Sequence, residues 1–493
     1  MTSGRETAES GDGPRGARPV RSNVTRHPWR IGILALAGVV AVVGLVVYAR
    51  RASSAAPTPG KVQPASPAGL LPTRTPVYPL KVGPTGRYLV DRDGRPFLIV
   101  GDSPQALIAN LSVKRAGQFF ANRQAAGFNS VWINLLCDDY TGGRPDGATY
   151  DGIVPFMRPG DLSTPNPAYF TRADEMIRLA ERHRIVVFLD PIETGGWLKV
   201  LRDNGTAKAY AYGRYLGLRY RRFPNIVWLN GNDFQTWTQP GDDALALAVA
   251  RGIKSVDPRQ LQTVELDFPT SASSDDVRWG GIIGLDAAYT YSPTYAEVLK
   301  AYGRDRVPVF MIEASYEGEH DYTGPETLRR QEYWTLLSGA TGQFYGNHYT
   351  WQFSTGWPSH LNTVGSRQMT IATNLFSHRP WFDLVPDTSH ALVVSGYGTY
   401  SESGDVNSND YVTAARTPDG RLAIAYLPSG RPIVVNMRRM AGSRVRAQWY
   451  DPTSGRYAAI AGSPFVTRGE RRFAPPGENH GGDDDWVLVL GAA

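Results

Sequence analysis

Two acidic residues, Asp233 and Glu313, stand where the chain could do chemistry. Asp233 follows the apolar run Asn225–Leu229 by a few residues, and Glu313 ends the run Val307–Ile312. Two facing carboxyl groups can cleave a glycosidic bond, one protonating the leaving oxygen and the other attacking as a nucleophile. Either residue alone could equally be a helix N-cap, so the pattern is informative only as a pair.

Other polar and aromatic residues follow the remaining apolar runs. If these runs are strands of one barrel, their carboxyl ends meet at one rim, where barrel active sites lie. We therefore expect a sugar-binding set around the pair, formed by Asp102, Asn134, Asp190, Asn232, Tyr316, His348 and Trp351. Sequence alone leaves open whether the tryptophans of this region serve as sugar platforms or as core.

The elements that would position these residues are short apolar strands alternating with amphipathic helices. Ser112 and the pair Asn166-Pro167 are typical helix starts. The eight predicted strands are Phe97–Gly101, Ser130–Leu136, Ile185–Leu189, Asn225–Leu229, Gln262–Leu266, Ala287–Tyr291, Val307–Ile312 and Gly342–Tyr345. This α/β pattern predicts a (β/α)8 TIM barrel over residues 84–384. An open doubly wound sheet is the alternative, but no glycine-rich nucleotide fingerprint or P-loop is present.

Composition excludes several classes of function. The net charge of +6 is small for 493 residues, and no long Lys/Arg run suggests a nucleic-acid partner. The single cysteine, Cys137, rules out an intrachain disulfide and lies in an apolar run, which predicts a buried, inert thiol. We expect no metal and no cofactor.

The N-terminal region predicts a membrane anchor. Residues 1–30 form an arginine-rich polar tail, and residues 31–49 form an uncharged apolar run long enough, at roughly 28 Å, to span a bilayer. The larger arginine cluster places the N-terminus in the cytoplasm and the rest outside the cell membrane. Residues 50–83, rich in Pro, Ala, Ser and Thr, predict a linker. If the apolar run is instead a cleaved signal peptide, the protein is secreted.

The last part of the chain, residues 385–493, predicts a small all-β sandwich. Short strands at Leu422–Tyr426, Ile433–Val435, Arg446–Tyr450 and Trp486–Leu490 are separated by turn signals. The acidic run Asp483–Asp485 is interpreted as a solvated turn before the last strand rather than as a calcium site.

Several motifs resemble a known family. Residues 84–383 resemble the apiosidase-like catalytic domain typified by glycoside hydrolase family 140, and residues 385–490 resemble the collagen-binding-type domain often paired with it. The motifs are Gly101-Asp102, Ala126-Gly-Phe-Asn129, Gly231-Asn-Asp233, Pro308-Val-Phe-Met-Ile-Glu313, Tyr316-Glu-Gly318, Gly339 through His348 with Trp351-Gln-Phe353, Ala425 through Gly430, Trp449 through Gly455, and Asp485 through Leu490.

The resemblance implies a retaining glycosidase that removes apiosyl or other pentosyl or furanosyl side chains from a polysaccharide. It implies that Asp233 is the acid/base and Glu313 the nucleophile. Collagen binding has no support in residues 385–493, and we expect these residues to brace the barrel.

One departure from the family pattern keeps a second hypothesis open. Family members commonly carry a Trp soon after the Gly-Asp pair, whereas Asp102 is followed here by Ser103-Pro104-Gln105-Ala106. The departure leaves two hypotheses: the bound sugar differs from apiose, or the protein is a non-catalytic surface protein that binds glycan or matrix. A barrel peptidase or deacetylase is disfavoured, because no His-x-x-x-His or Gly-x-Ser-x-Gly signature is present.

Overall fold

The computed structural model describes residues 75–304 and 307–492. The expected tail, the apolar run 31–49 and most of the expected linker lie outside these residues. Tyr78 and Leu80, within the linker as predicted, are already buried in the folded part. In the part that is described, no helix combines the length and apolar character needed to cross a membrane.

The strands and helices alternate through the first part of the described chain and give way to strands alone in the second. The strands are β1 (Lys81–Val82), β2 (Leu89–Val90), β3 (Pro96–Phe97), β4 (Ile99–Asp102), β5 (Ser130–Asn134), β6 (Val186–Asp190), β7 (Ile226–Asn230), β8 (Gln262–Val264), β9 (Thr270–Ala272), β10 (Asp286–Thr290), β11 (Val309–Glu313), β12 (Gly342–Tyr345), β13 (Val385–Pro386), β14 (Val393–Ser395), β15 (Thr413–Arg416), β16 (Leu422–Leu427), β17 (Ile433–Asn436), β18 (Arg444–Tyr450), β19 (Tyr457–Ala459), β20 (Phe465–Val466), β21 (Glu470–Phe473) and β22 (Trp486–Ala492). The helices are α1 (Leu107–Asn110), α2 (Val113–Ala125), α3 (Pro167–Arg182), α4 (Thr194–Tyr220), α5 (Pro240–Lys254), α6 (Thr294–Gly303), α7 (Pro325–Leu337) and α8 (Val364–Ser377).

The first part of the described chain forms a curled, mostly parallel sheet. Its nine strands run in the order β8-β7-β6-β5-β4-β12-β11-β10-β9, and only β9 is antiparallel to its neighbour. The eight parallel strands coincide, within a few residues, with the eight predicted from the sequence. Their carboxyl ends therefore point to one rim, as the prediction of the site requires.

The sheet departs from the predicted closed barrel between β8 and β10. These two strands share no ladder, and β9 with two short 3-10 turns stands where a crossover helix was expected. The backbone N–H of Gly284 donates to the carbonyl of Gln262 at 2.8 Å across this seam. The Ser273 hydroxyl donates to the Val264 carbonyl at 2.5 Å and accepts from the Ala287 N–H at 2.8 Å. β9 folds back and pairs with β10, so β8 and β10 do not form a ladder. The Ser273 side chain supplies part of the hydrogen bonding that such a ladder would have made.

Aromatic side chains fill the inside of the curled sheet. Phe188 packs on Phe344 with ring centroids 4.9 Å apart and on Phe310 at 5.4 Å. A Cβ atom at Gly101 would lie 2.4 Å from the Phe344 ring, so only glycine fits at this point of β4. The floor of the sheet is covered by the small antiparallel sheet β1-β2-β3, whose Leu89 is fully buried in the same cluster.

The C-terminal region has the predicted all-β character. A seven-stranded sheet, with β16, β22 and β18 at its centre, faces a three-stranded sheet of β14, β17 and β21 across an apolar core. The other face of the large sheet packs on α7 and α8, where the Tyr333 and Tyr426 rings stack 4.9 Å apart. The sandwich is therefore attached to the helices that follow β11 and β12, the strands nearest Glu313.

A buried ion pair crosses this contact. Arg329 of α7 donates from Nε and Nη2 to the two oxygens of Asp485, at 3.0 and 2.9 Å, and Nη2 also reaches Asp483. The Arg329 and Asp485 side chains are 1% and 0% exposed. The interpretation of Asp483–Asp485 as a solvated turn is therefore wrong for Asp485, which the guanidinium holds inside the protein.

Removing this arginine should lower the stability of the whole protein. Arg329→Met leaves the carboxylate of Asp485 buried without its cation, and we expect the free energy of unfolding to fall by about 3–5 kcal/mol. Urea unfolding followed by tryptophan fluorescence measures it, with the exposed Arg92→Met as control. A loss no larger than that of the control would contradict the assignment.

Candidate active site

The turn after β7 presents Asp233 in a strained backbone conformation. Gly231, Asn232 and Asp233 have φ values of 107°, 71° and 47°. A positive φ at a residue other than glycine costs about 1–3 kcal/mol and marks functional sites. The start of α4 holds this turn: the Thr194 N–H donates to the Gly231 carbonyl at 2.7 Å, and the Gly195 N–H donates to the Asn232 carbonyl at 3.2 Å.

Two tyrosine hydroxyls bind the Asp233 carboxyl group. The Tyr140 hydroxyl donates to Oδ2 at 2.7 Å, and the Tyr289 hydroxyl donates to Oδ1 at 2.9 Å. The backbone N–H of Asp233 donates to Oε2 of the buried Glu265 at 3.2 Å. Burial raises the pKa of Asp233 from its ordinary value, and the two hydroxyls partly offset this rise.

Glu313 has a matching arrangement at the end of β11. The Tyr291 hydroxyl donates to Oε1 at 2.7 Å, and the Tyr316 hydroxyl donates to Oε2 at 2.8 Å. The side chain is nearly buried. Burial, together with the nearby Asp233 charge, raises the pKa of Glu313 to about 8. The two carboxyl groups repel one another when both are ionised, so the pair tends to retain one proton at neutral pH.

The local backbone makes room for these tyrosines. A Cβ at Gly195 would lie 2.1 Å from the Tyr140 ring, and a Cβ at Gly346 would lie 2.1 Å from the Tyr316 ring. Tyr289 and Tyr291 are two residues apart, so both point to the same side of the chain. A register shift in β10 sets Tyr289 opposite Glu313. Glycines and a bulge thus aim four hydroxyls at four carboxylate oxygens.

Gln105 joins the two halves of the site. Its Nε2 donates to the Tyr316 hydroxyl oxygen at 3.0 Å, and its Oε1 lies 3.5 Å from Nδ2 of Asn232. Gln105 belongs to the segment that departs from the family pattern, so this segment contributes to the site. Its donation occupies a lone pair of the Tyr316 oxygen and keeps the Tyr316 proton directed at Glu313.

Two predicted sugar-binding residues lie beneath the site. Asp102 is fully buried and forms an ion pair with Arg123 of α2, with Oδ2 and Nε 3.1 Å apart. Asp190 is also fully buried and accepts from the Ile192 N–H at 3.0 Å. Burial raises the pKa of both carboxyl groups. These contacts organise strand ends and do not bring either side chain to the open rim.

The other predicted residues lie nearer the pair. Asn134 accepts from the Trp132 indole at 2.9 Å and lies 3.5 Å from the side chain of Asn232. Tyr316 contacts Glu313 directly. His348 and Trp351 follow β12 and are half-buried, with the His348 N–H donating to the Glu317 carbonyl at 3.0 Å. Their predicted contacts with sugar stay predictions.

Most tryptophans of this region belong to the hydrophobic core. Trp132, Trp197 and Trp357 are buried in apolar clusters, and Trp237 packs partly on another. Cys137 is buried as expected. Its pKa is raised well above the ordinary value, mainly by burial, which leaves the thiol protonated and unreactive.

Several residues of the site were missed in the sequence. Tyr140, Tyr289 and Tyr291 lie on loops or strand ends without a recognised motif, and the buried Glu193 and Glu265 follow β6 and β8. The alternation Tyr289-x-Tyr291 at the end of a strand was the available signal. Glu319 lies at the same rim, and burial with the Asp233 charge raises its pKa to about 7. No group of three or more His, Cys, Asp or Glu side chains among the described residues is arranged to hold a metal.

Comparison with known proteins agrees with this geometry. Residues 84–383 match the family model "Apiosidase-like, catalytic domain", and residues 401–491 match "Putative collagen-binding domain of a collagenase". No curated protein matches the sequence.

Solved structures share the fold. A glycoside hydrolase superposes with a TM-score of 0.71 at 22% identity over 84% of this chain and 97% of its own. A family 5 glycoside hydrolase from Bacteroides vulgatus gives the same score and identity, over 84% and 93% of the two chains. Because the catalytic-domain model covers more than half of the sequence, the chain belongs to the apiosidase-like family and is a glycoside hydrolase.

Proposed function

We propose that this glycoside hydrolase acts by double displacement with retention, removing terminal apiosyl or other pentosyl or furanosyl groups from a polysaccharide. The observation that carries the mechanism is the symmetric set of four tyrosine hydroxyls around Asp233 and Glu313. Asp233 contacts Tyr289 and Glu313 contacts Tyr291, and the rings of these two tyrosines are 5.7 Å apart. This proximity supports the short separation of about 5–5.5 Å that a retaining mechanism needs. The choice of pentosyl groups rests on the family resemblance.

The hydroxyl orientations support different roles for the two carboxyl groups. Gln105 fixes Tyr316 as a donor, so Oε2 of Glu313 is held as an acceptor and Glu313 is favoured as the ionised nucleophile. No second donor reaches the hydroxyls of Tyr140 and Tyr289 among the described residues, so either can turn to accept a proton from Asp233. The pKa of Glu313, raised to about 8, and the Tyr291 hydroxyl beside its Oε1 would also allow the proton on Glu313. The family resemblance decides between the two, and the retained proton is assigned to Asp233, the acid that protonates the leaving oxygen.

In the first step Glu313 attacks the anomeric carbon and forms a glycosyl ester, while the bond to the leaving oxygen breaks and that oxygen takes the proton of Asp233 and departs as an alcohol. In the second step Asp233, now ionised, takes a proton from water as the water attacks the glycosyl–Glu313 ester. The carbon–oxygen bond to Glu313 breaks and its carboxylate returns. The starting state is restored with the proton on Asp233.

The first prediction concerns these roles. Asp233→Ala and Glu313→Ala should each lower kcat on aryl apiofuranosides, arabinofuranosides and xylosides by at least about 1,000-fold. Azide should rescue Asp233→Ala and give a glycosyl azide of retained configuration, because the glycosyl–Glu313 ester still forms. With Glu313→Ala it should give the inverted azide. NMR of the products measures both, with the exposed Asp203→Ala as control.

If Asp233→Ala gave the inverted azide and Glu313→Ala the retained one, the roles of the two residues would be exchanged. Absence of turnover by the unaltered protein on all these glycosides, with glycan binding retained in Glu313→Gln, would instead favour a non-catalytic glycan-binding protein.

A second prediction follows from the donor set of Glu313. An O–H that donates to a carboxylate stabilises its charged form, so Tyr316→Phe should raise the pKa of Glu313 further. Activity needs ionised Glu313, and the acidic limb of kcat/KM should move to higher pH by about 1 unit. The pH profile measures this, with the surface variant Tyr210→Phe as control. A limb that stays in place or moves to lower pH would contradict the assignment.

We also propose that residues 31–49 anchor the protein in the cell membrane with the enzyme outside; the apolar run and the arginine bias support this. The full chain should sediment with membranes and resist carbonate extraction, whereas residues 52–493 should stay in the supernatant. A mature protein in the medium that begins shortly after residue 51 would show cleavage and secretion instead.

A further inference from the structure

A groove of about 350 Å³ lies where the loop after β11 meets the C-terminal sandwich. The barrel side contributes Tyr322, Thr327 and Gln368, and the sandwich side contributes Asn407 and Asp483. From these residues we infer that the groove binds the part of the glycan that continues beyond the cleaved sugar. This inference rests on the proposed function and assigns the C-terminal region a role in substrate binding.

The groove is built as a fixed surface. Arg329, in its wall, is held by Asp485, Asp483 and the Oε1 atom of Gln368. Asn407 donates to the Tyr322 carbonyl at 2.9 Å and accepts from the Thr327 hydroxyl at 2.7 Å. These contacts tie the barrel loop to the sandwich, so a ligand would meet a pre-formed site and lose less free energy in ordering it.

The exposed groups match the chemistry of a sugar. Tyr322 is 52% exposed, and its ring stacks on His320 with centroids 5.1 Å apart. An aromatic ring held flat at a surface can pack on the apolar face of a sugar ring. Nε2 of Gln368 makes no hydrogen bond within residues 75–304 and 307–492 although the residue is only 6% exposed. This amide can donate to a sugar hydroxyl.

One short loop joins the groove to the rim of the active site. Burial, and then the Asp233 charge, raises the pKa of Glu319, and Tyr322 follows Glu319 by three residues. Three residues span at most about 11 Å. The loop between them is closed by the Gly318 N–H donating to the Thr323 carbonyl at 3.1 Å. A glycan that leaves the site beside Asp233, the acid on the leaving-group side, would therefore reach Tyr322.

The charges define the class of glycan. The groove is lined by Asp321, Glu326 and Asp483. Asp483 pairs with Arg329, the one arginine that lines the groove, and Glu326 pairs with Arg330. At the rim, no lysine or arginine of the described residues pairs with Asp233 or Glu319. Among the described residues that line the groove, no cation is therefore left unpaired to bind an acidic chain. The ligand is therefore a neutral chain, not one rich in uronate, sulfate or phosphate.

Chain-length dependence tests this inference. Tyr322→Ala in the full chain should lower kcat/KM on neutral arabinan and arabinoxylan by about 3- to 10-fold, mostly through KM, because a stacking surface is lost. The same variant should leave kcat/KM on the small aryl glycosides unchanged, and Tyr322→Phe, which keeps the ring, should keep most of the polymer activity. Galacturonan-linked pentosides should be poorer substrates than the neutral polymers.

Equal losses on polymer and aryl glycoside, or no loss on any polymer, would overturn the groove assignment. A higher kcat/KM on the galacturonan-linked pentosides than on the neutral polymers would overturn the inference that the glycan is neutral. If the unaltered protein cleaves no aryl glycoside, the proposed function fails. Binding of neutral arabinan and arabinoxylan by Glu313→Gln, with and without Tyr322→Ala, then tests the groove separately. Binding that is unaffected by Tyr322→Ala would overturn it.

Discussion

The structure around the site depends on one constraint. Two carboxyl groups are buried side by side, and each must remain able to change its protonation state. Burial disfavours their charged forms, and mutual repulsion disfavours ionising both. Four tyrosine hydroxyls, one on each carboxylate oxygen, supply the hydrogen bonds that water would have made. The glycines, the bulge in β10 and the strained turn after β7 are means of aiming those hydroxyls.

The surroundings add to this control of charge. Glu193 and Glu265 are buried near the pair, and burial with neighbouring carboxylates raises the pKa of both well above the ordinary value. They are thus held neutral and do not add further repulsion at neutral pH. Gln105 then breaks the symmetry of the two carboxyl groups, because it acts on one of the four hydroxyls. Under the proposed mechanism, this difference in donor orientation favours Asp233 as the acid and Glu313 as the nucleophile.

The sequence predicted the strands well because each is a short, wholly buried apolar run bounded by polar residues, as in Ser130–Asn134 and Gly342–Tyr345. It predicted that Asp233 and Glu313 lie at one rim because such strands align their carboxyl ends. It failed between β8 and β10, where a serine hydroxyl and an antiparallel strand replace a helix without any periodic signal. It also missed Tyr140, whose contact with Asp233 joins residues 93 positions apart and depends on loop geometry.

The same reasoning explains why Asp485 was misread. A run of three aspartates is usually solvated, and only the tertiary contact with α7 shows that one of them is neutralised by a buried arginine. That contact fixes the sandwich against the helix that follows the β11 loop. Movement of the sandwich would therefore disturb the loop that carries Tyr316 and Glu319. The C-terminal region is thus coupled to Glu313 through packing, whether or not it touches the glycan.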